Sequence, residues 1–345
     1  MHIPDGFVDP ATATVTGVLA AAGLAGAVRH AQRHLPPARV PLLGLSAAFV
    51  FAAQMLNFPV LGGTSGHLIG GVLTAALLGP SAAVIVISAV LIVQCFLFAD
   101  GGVTALGANI FNMALVGAAS GWAVFELLRR LAPSLTWRVV SAGVAAWAST
   151  VLASIACAGE LAASGTAAWS AVLGAMAGVH VLIGVGEGLI TALVLAAIAK
   201  VRPELVGGTA LQQRGFDVVM PTGAPSAGAG AVAHAASAGN RESAKSLVLY
   251  GLLISAGLAL FVAPFASPWP DGLDRTAQTL GFEDKAREPA MPAPIPDYRM
   301  PGIPSEGLAT AVAGVAGTAA VFALAWMAAR ALAPRGRVAS SGAPR

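Results

Sequence analysis

The first two residues of the chain carry three nitrogen donors that covalent geometry alone brings together. The terminal amine of Met1, the main-chain nitrogen of His2 and the His2 imidazole can close fused five- and six-membered rings around one divalent cation. A fourth donor has to come from elsewhere in the chain, and imidazole is a common ligand for nickel, copper and zinc. The start of the chain therefore predicts a three-point metal chelator that lacks one ligand.

The composition indicates a polytopic membrane protein. Of the 345 residues, 57% are apolar and 10% are charged, whereas soluble domains contain roughly 25% charged residues. Asp5 and Asp9 precede the first apolar run, where a signal peptide would carry basic residues, so we expect Met1 to persist. Cys95 and Cys157 lie within apolar segments, which favours buried core residues over a disulfide or a thiolate metal site.

Nine apolar segments are candidates for membrane helices, since a span needs roughly 20 apolar residues. The stretch 67–98 could be one helix or two, because Pro80 interrupts the helical hydrogen bonds and disfavours a helical Gly79. Two helices leave only four basic residues outside, all in the long loop 267–305, which agrees with the positive-inside rule. We therefore expect a turn at Gly79–Pro80, an extracytoplasmic N-terminus and a cytoplasmic C-terminus. The predicted segments are 11–28, 40–61, 67–79, 81–98, 106–128, 139–158, 170–199, 246–266 and 307–332.

This orientation brings a candidate fourth ligand to the side of the membrane that holds the N-terminus. His67 follows the glycine-rich segment 62–66, at the outer end of a predicted span. Glycines allow a loop to approach another main chain closely. We therefore expect His67 to complete the ligand set of Met1 and His2.

The predicted fold class is an all-α polytopic membrane protein, in which a seven-span helical bundle precedes a two-helix membrane hairpin with an extracytoplasmic loop. The bundle would be a metal-binding module of residues 1–202. Residues 203–244 are rich in Gly, Ala, Ser and Pro and are expected to form a cytoplasmic linker. Residues 245–335 would form the two-span module, and 336–345 a disordered tail. The motif at 270–274 could be a simple turn, or it could load metal or gate the N-terminal loop.

Several segments resemble the CbiM/NikM family, the substrate-binding membrane components of energy-coupling factor transporters for cobalt and nickel. They are MHIPDG at the start, NFPVLGGTSGHLIGG (57–71), TALGANIFNMA (104–114) and HVLIGVGEGLITA (180–192). The motif PDGLD, followed by LGFED, resembles the PDGLE module of NikN, with Asp274 where Glu is usual. The chain is thus similar to a fused NikMN-type protein over nearly its whole length.

The resemblance implies a metal site and a set of partners. The ligands would be the Met1 amine, the His2 amide nitrogen and imidazole, and the His67 imidazole, with Ni(II) or Co(II) as the transported substrate. The partners would be a transmembrane coupling subunit of the CbiQ/NikQ type and two cytoplasmic ATPases of the CbiO/NikO type. The sequence contains no GxxxxGKS or GxxxxGKT phosphate loop, so we expect ATP hydrolysis in separate subunits. The expected location is the bacterial cytoplasmic (inner) membrane. We expect contact with the lipid bilayer and no nucleic-acid partner.

Other polar residues are candidates for a supporting role around the metal. His180 and Glu187 lie two turns apart on one face of a predicted span, where ionisable groups are often functional; they could equally lock two helices together. Asp5, within a Pro-Asp-Gly turn, is expected to fold residues 1–6 back into the bundle rather than to bind metal. The remaining candidates could hydrogen-bond to the site or serve only turns and helix packing: Asn57, Thr64, Ser65, Asp100, Asn109 and Asn112.

The leading functional hypothesis is the substrate-capture subunit of an ATP-driven nickel importer, a component that is not itself an enzyme. Four nitrogens, one of them a deprotonated amide, favour Ni(II) or Cu(II) in a square plane, whereas Zn(II) prefers a tetrahedral site. The alternatives are the same role for Co(II) feeding cobalamin synthesis, a membrane metalloenzyme and a passive metal channel. No His-Glu-x-x-His motif supports the enzyme, and a channel requires weak binding. Binding should release protons and fail below an imidazole pKa of roughly 6.5.

Overall fold

The structure, a computed structural model, describes residues 1–206 and 246–332. Seven helices in these ranges are long and apolar enough to cross a membrane, so the prediction of a helical polytopic membrane protein is confirmed. Residues 207–244 of the predicted linker and the predicted tail 336–345 lie outside the described residues. The principal helices are α1 (Pro10–His34), α2 (Val40–Gln54), α3 (Gly71–Leu78), α4 (Pro80–Phe98), α5 (Leu106–Arg129), α6 (Leu135–Ala163), α7 (Trp169–Val201), α8 (Ser246–Phe265), α9 (Gly272–Leu280) and α10 (Glu306–Leu332).

The shorter elements lie in the connections between these helices. Two strands, β1 (Phe58–Val60) and β2 (Thr64–Gly66), form an antiparallel pair in which Phe58 faces Gly66. One-turn helices occur at Pro37–Arg39, Pro203–Val206, Glu283–Lys285 and Pro296–Tyr298.

The predicted spans 40–61 and 67–79 were too long, and the all-α expectation missed the strand pair between them. Helix α2 ends at Gln54, and α3 contains only eight residues, or about 12 Å of helix. The intervening chain turns back at Gly62 and Gly63, whose φ angles of 86° and 71° favour glycine. Leu68 and Ile69 in this segment are buried within protein, whereas Leu61 at the turn is exposed.

The turn predicted at Gly79–Pro80 is confirmed. Gly79 has a φ of 90° and separates α3 from α4. Pro80 occupies the first position of α4, where its missing N–H costs no helical hydrogen bond. The two apolar segments are therefore separate helices, as the distribution of basic residues indicated.

The helices that flank the N-terminal segment begin and bend for local reasons. Asp9 caps α1 by accepting hydrogen bonds from the N–H groups of Ala11 and Thr12, which fixes where the first span begins. Helix α5 widens into a π-helical stretch over Ile110–Ser120, and such stretches often occur at functional sites. The side chain of Asn109 lies just before this stretch and faces the N-terminal residues.

Small residues allow α6 and α7 to pack closely as an antiparallel pair. A Cβ atom added at Gly188 would lie 2.7 Å from the main-chain oxygen of Gly143. By contrast, a Cβ atom at Gly178, on the same helix, would have no neighbour within 4 Å. The crossing of α6 and α7 is thus fixed by glycine at one point of contact.

The substitution Gly188→Ala should destabilise the protein, because the new methyl group forces the α6 and α7 main chains apart. We expect a loss of about 1–3 kcal/mol in the free energy of unfolding, seen as a lower melting temperature in detergent. Gly178→Ala is the matched control and should leave the melting temperature unchanged or slightly higher. Equal melting temperatures for the two variants would contradict the close crossing.

Candidate metal centre

The N-terminal segment is folded into the bundle rather than left at its surface. Met1 is 4% exposed and Ile3 is fully buried. The side chain of Asn109 accepts from Ile3 N at 2.8 Å and donates to Ile3 O at 3.1 Å, and Gly102 N donates to the same oxygen. These hydrogen bonds tie the main chain of Ile3 to Asn109 and Gly102. The terminal amine, two residues earlier, therefore has a fixed position.

Asp5 anchors the same segment from its other end. Its carboxylate accepts hydrogen bonds from the N–H and hydroxyl of Thr104 and from Ala290 N. Arg287 N donates to Asp5 O at 2.8 Å. Although partial burial would raise the pKa of Asp5, these donors hold it below its usual value. This geometry fits the predicted role of Asp5 in folding the chain start back into the bundle.

The terminal amine of Met1 lies against two side chains that come from distant parts of the chain. Its nitrogen is 2.8 Å from His67 Nε2 and 2.5 Å from Asp271 Oδ2. The imidazoles of His2 and His67 stack with their centroids 5.1 Å apart. The structure thus brings together Met1, His2 and His67, the three residues that the sequence analysis predicted as ligands.

One ring nitrogen of His67 keeps a free lone pair, whereas His2 faces an acceptor at both ring nitrogens. His67 Nδ1 is 3.2 Å from Leu68 O, so this nitrogen carries the proton and Nε2 accepts from the amine. His2 Nε2 is 3.1 Å from Gln94 Oε1, and His2 Nδ1 is 3.3 Å from Asp100 Oδ1. Nδ1 is the nitrogen that a six-membered chelate ring through the His2 main chain would use. Outer partners of this kind commonly orient histidine ligands of metals.

Burial and nearby charges shift the pKa values of the groups in this cluster. Burial lowers the pKa of the Met1 amine, but the carboxylate of Asp271 outweighs it and the pKa lies above the usual value. Burial lowers the pKa of both His2 and His67, and the charge on the amine adds to that effect. Burial alone would raise the pKa of Asp271, yet the amine and His67 hold it well below its usual range. Near neutral pH the cluster is therefore an ion pair flanked by two neutral imidazoles.

The loop that carries His67 is held by hydrogen bonds on both sides of the histidine. Ser65 N and the Thr64 hydroxyl both donate to Pro270 O, at 2.8 and 3.0 Å. Beyond His67, the carboxylate of Glu187 accepts from Ile69 N at 2.6 Å and from Gly70 N at 3.0 Å. Thr64, Ser65 and Glu187 thus position the ligand loop without contacting the amine.

His180 borders the cluster from α7. Its Nδ1 is 2.8 Å from Met176 O, which leaves Nε2 unprotonated on the side that faces Gly272. A cavity of about 10 Å³ is lined by Met1, His67, His180 and Asp271 among others, and this is about the space that one water needs. His180 therefore lies beside the cluster and not within its hydrogen bonds.

The remaining predicted residues divide into those near the cluster and those apart from it. Asp100 Oδ1 lies 3.3 Å from His2 Nδ1, and its other oxygen accepts from Tyr298 Oη at 2.5 Å. Asn112 instead donates to the buried Glu160 at 2.6 Å. Asn57 contributes only its main-chain oxygen, to Ser267 N. Neither Asn112 nor Asn57 contacts Met1, His2 or His67.

Sequence reasoning missed four residues of this region: Gln94, Glu160, Asp271 and Tyr298. Gln94 and Glu160 are polar side chains within apolar spans, a signal that could have identified them. Asp271 belongs to the PDGLD motif, which was recognised without a role for its carboxylate. In the described ranges 1–206 and 246–332, no three His, Cys, Asp or Glu side chains form a ligand group.

The fold and this cluster define a polytopic membrane protein with a candidate metal-binding site built around its own N-terminus. The family model CbiM, described as the cobalt uptake substrate-specific transmembrane region, matches residues 2–205. The PDGLE domain model matches residues 245–334. The chain therefore belongs to the CbiM family and carries a PDGLE domain in the same polypeptide.

Individual relatives agree with this assignment. An Archaeoglobus fulgidus protein named as a fused nickel transport protein NikMN is 35% identical over 327 residues, covering 94% of this chain and 96% of that protein. A Haloquadratum walsbyi protein named as a metal transport protein is 42% identical over 208 residues, covering 60% of this chain and 93% of its own length. A crystal structure described as a transition metal transporter has a TM-score of 0.55 and 30% identity, covering 64% of this chain and all of that one.

The ion pair between Met1 and Asp271 should make stability depend on pH in the metal-free protein. The pKa of Asp271 is lowered in the folded protein. Its contribution to the free energy of unfolding is therefore present above its unfolded pKa of about 3.9 and is lost on acidification. The folded pKa of the amine is raised, so its contribution exists below its unfolded pKa of about 8 and is lost as the pH rises through the folded value. The pair therefore stabilises the fold between these limits.

Asp271→Asn should lower the free energy of unfolding by about 3 kcal/mol near pH 6, because it leaves the buried amine without a counter-ion. Chemical unfolding in detergent at a series of pH values would measure this loss. The difference in the free energy of unfolding between the variant and the wild type should decrease in alkaline solution, because the amine loses its proton there. Asp284→Asn, at an exposed position of the same loop, should show no such profile; a pH-independent deficit for Asp271→Asn would argue against the ion pair.

Proposed function

We propose that this chain is the substrate-capture subunit of an ATP-driven nickel importer of the energy-coupling factor type. The substrate Ni(II) would be bound by the Met1 amine, the His2 amide nitrogen, His2 Nδ1 and His67 Nε2. The observation that carries the proposal is the 2.8 Å separation of the Met1 amine from His67 Nε2 inside the bundle. Metal–nitrogen bonds of about 2.0 Å in a square plane place neighbouring donors about 2.9 Å apart, so this pair already has the required spacing.

The ring orientations of both histidines support the same ligand set. His67 has its proton on Nδ1, which faces Leu68 O, so the lone pair remains on the Nε2 that the chelate needs. His2 directs Nε2 towards Gln94, so its Nδ1 is the ring nitrogen that would bind the metal. A metal ion would replace the proton shared by the amine and His67. Little rearrangement of His67 would then be required for binding.

Nickel is favoured over cobalt on chemical grounds. A deprotonated amide and three further nitrogens give a strong planar field, which suits Ni(II) and Cu(II). The fused nickel transport protein of Archaeoglobus fulgidus, similar over 94% of this chain, points the same way. The alternative is Co(II) capture for cobalamin synthesis, which the description of the CbiM model as a cobalt uptake region keeps open.

The two modules would act together in metal capture. We propose a metal-binding module of residues 1–202, a cytoplasmic linker of 203–244 and a second membrane module of 245–335. Contacts from the loop between α8 and α10 support this joint role. Asp271 of that loop contacts the amine, and Pro270 accepts a hydrogen bond from the His67 loop. The second module would thus cover the metal site and set the access to it.

The orientation and the partners follow from the distribution of charge and of exposed apolar surface. We propose that the N-terminal site lies on the extracytoplasmic side of the inner membrane and the C-terminus in the cytoplasm, which the distribution of basic residues supports. Helix α1 exposes Val15, Val18 and Leu19 on a surface rich in Ala and Gly, which suits close helix contacts. We propose that this face meets the transmembrane coupling subunit, while two separate ATPases supply the energy for release.

An N-terminal extension should abolish metal binding, because it converts the Met1 amine into a secondary amide. Calorimetry with Ni(II) on purified protein should show one tight site in the wild type and none after addition of Gly-Ser before Met1. His67→Ala should remove the absorption of a planar nickel complex, whereas His30→Ala, at an exposed position in the described structure, should leave it intact. Unchanged nickel uptake by the extended chain would overturn the proposal.

Nickel affinity should keep rising as the pH increases from about 6.5 to beyond 8. The pKa of each imidazole is lowered and the pKa of the amine is raised, so the amine keeps its proton to higher pH than the imidazoles do. The His2 amide would release its proton only on binding the metal. Below the amine pKa, each pH unit should strengthen binding about tenfold per proton released. Calorimetry in buffers of different ionisation enthalpy would count these protons; an affinity that stops rising at pH 6.5 would contradict the assignment.

A further inference from the structure

A second cavity lies at the end of the bundle opposite the candidate metal centre. It forms where α1 and α5 end and where α4 and α6 begin, and its volume is about 290 Å³. Basic side chains line much of it, and they are His30, His34, Arg39, Arg129 and Arg138. We refer to it as the basic cavity. None of these residues takes part in the proposed capture of metal, so the basic cavity requires a separate explanation.

Arg39 is the informative member of this group. Its guanidinium is half-buried, and across residues 1–206 and 246–332 it has no hydrogen bond or ion pair. Burial lowers the pKa of Arg39, and no carboxylate in the described part of the chain offsets that effect. By contrast, Arg129 pairs with Glu126 at 2.6 Å, and Arg138 donates to Val206 O at 2.8 Å. A partly buried cation without a counter-ion is costly, and an anion from outside the chain would remove that cost.

The first turn of α4 adds further donors to the same cavity. Ser81 and Ala82 line the cavity, and no side chain caps the helix at this end. Their N–H groups therefore have no acceptor within the helix, and the positive end of the helix dipole is at the wall of the cavity that Arg39 also lines. Together with Arg39, this arrangement suits a phosphate better than a single carboxylate, because a phosphate offers several acceptor oxygens.

Part of the wall of the basic cavity is apolar. Trp122 and Phe125 line it, along with leucines of α3. Tryptophan is enriched at the interface between the hydrocarbon and the headgroups of a membrane. Four membrane helices begin or end around the cavity, so it lies at the depth at which lipid phosphates occur. An acyl chain or glycerol could contact the aromatic wall while the phosphate meets the basic one.

We propose that the basic cavity binds the phosphate headgroup of an anionic membrane phospholipid. Basic pockets between membrane helices are known sites for acidic lipids. The proposal does not rest on metal capture, because the cavity and the candidate metal centre share no residue. Arg39 would provide the principal charge contact, and the N–H groups of α4 would accommodate the remaining oxygens.

Native mass spectrometry of the full chain in detergent would test this site. Phosphatidylglycerol and phosphatidylcholine with identical acyl chains would be titrated separately, and the first bound lipid would be quantified. Arg39→Gln should lower the affinity for the first phosphatidylglycerol by about tenfold and leave the affinity for phosphatidylcholine unchanged. Arg33→Gln is the matched control, because Arg33 is an exposed residue in the last turn of α1, close in sequence to Arg39, and it does not line the cavity.

Arg39→Lys should keep a preference for phosphatidylglycerol, since the charge persists while the forked geometry of the guanidinium is lost. Equal binding of the two lipids by the wild type, or equal losses for Arg39→Gln and Arg33→Gln, would overturn the proposal. Displacement of the first phosphatidylglycerol by millimolar inorganic phosphate would also overturn it, and would show that the cavity takes the free ion.

Discussion

A charged amine buried inside a membrane bundle is the constraint on which the rest of this structure depends. Burial of an ammonium group is costly unless it is paired and hydrogen-bonded, and the Met1 amine meets both conditions through Asp271 and His67. The amine can stay there only because Asn109 and Asp5 hold the following residues in the bundle. The strand pair, the widened α5 and the loop before α9 all contribute to that enclosure.

The two matched domains are not independent parts in this fold. Met1 and the His67 loop come from the CbiM region, whereas Asp271 and Pro270 come from the PDGLE region, and they meet at one small cluster. Further contacts join Asp100 to Tyr298 and Leu97 to Ile295. A single polypeptide keeps both halves of the cluster at equal stoichiometry, so the amine and its counter-ion are always made together.

The sequence predicted the membrane helices and the chelating residues Met1 and His2 from local information, and it predicted His67 from the expected membrane orientation and the family resemblance. Apolar runs identify spans, Pro80 identifies a break, and Met1 with His2 form a chelator through covalent geometry. The short α3 was not predicted, since most of its apolar residues are buried by other parts of the chain. The strand pair was not predicted, because it depends on the turn at Gly62 and Gly63 within an apolar run. Asp271 and Gln94 were missed for a related reason, because each acts through a contact with a residue more than 90 positions away.

The pairing of the amine with Asp271 has a consequence for the effect of the membrane voltage on loading. In the metal-free protein, the cationic amine and the carboxylate of Asp271 sum to zero charge. Under the proposed coordination, a divalent ion, a deprotonated amide and the same carboxylate also sum to zero. Loading would then exchange one ion for protons without a change of net charge at the buried site, so neither the low dielectric nor the membrane potential would oppose it.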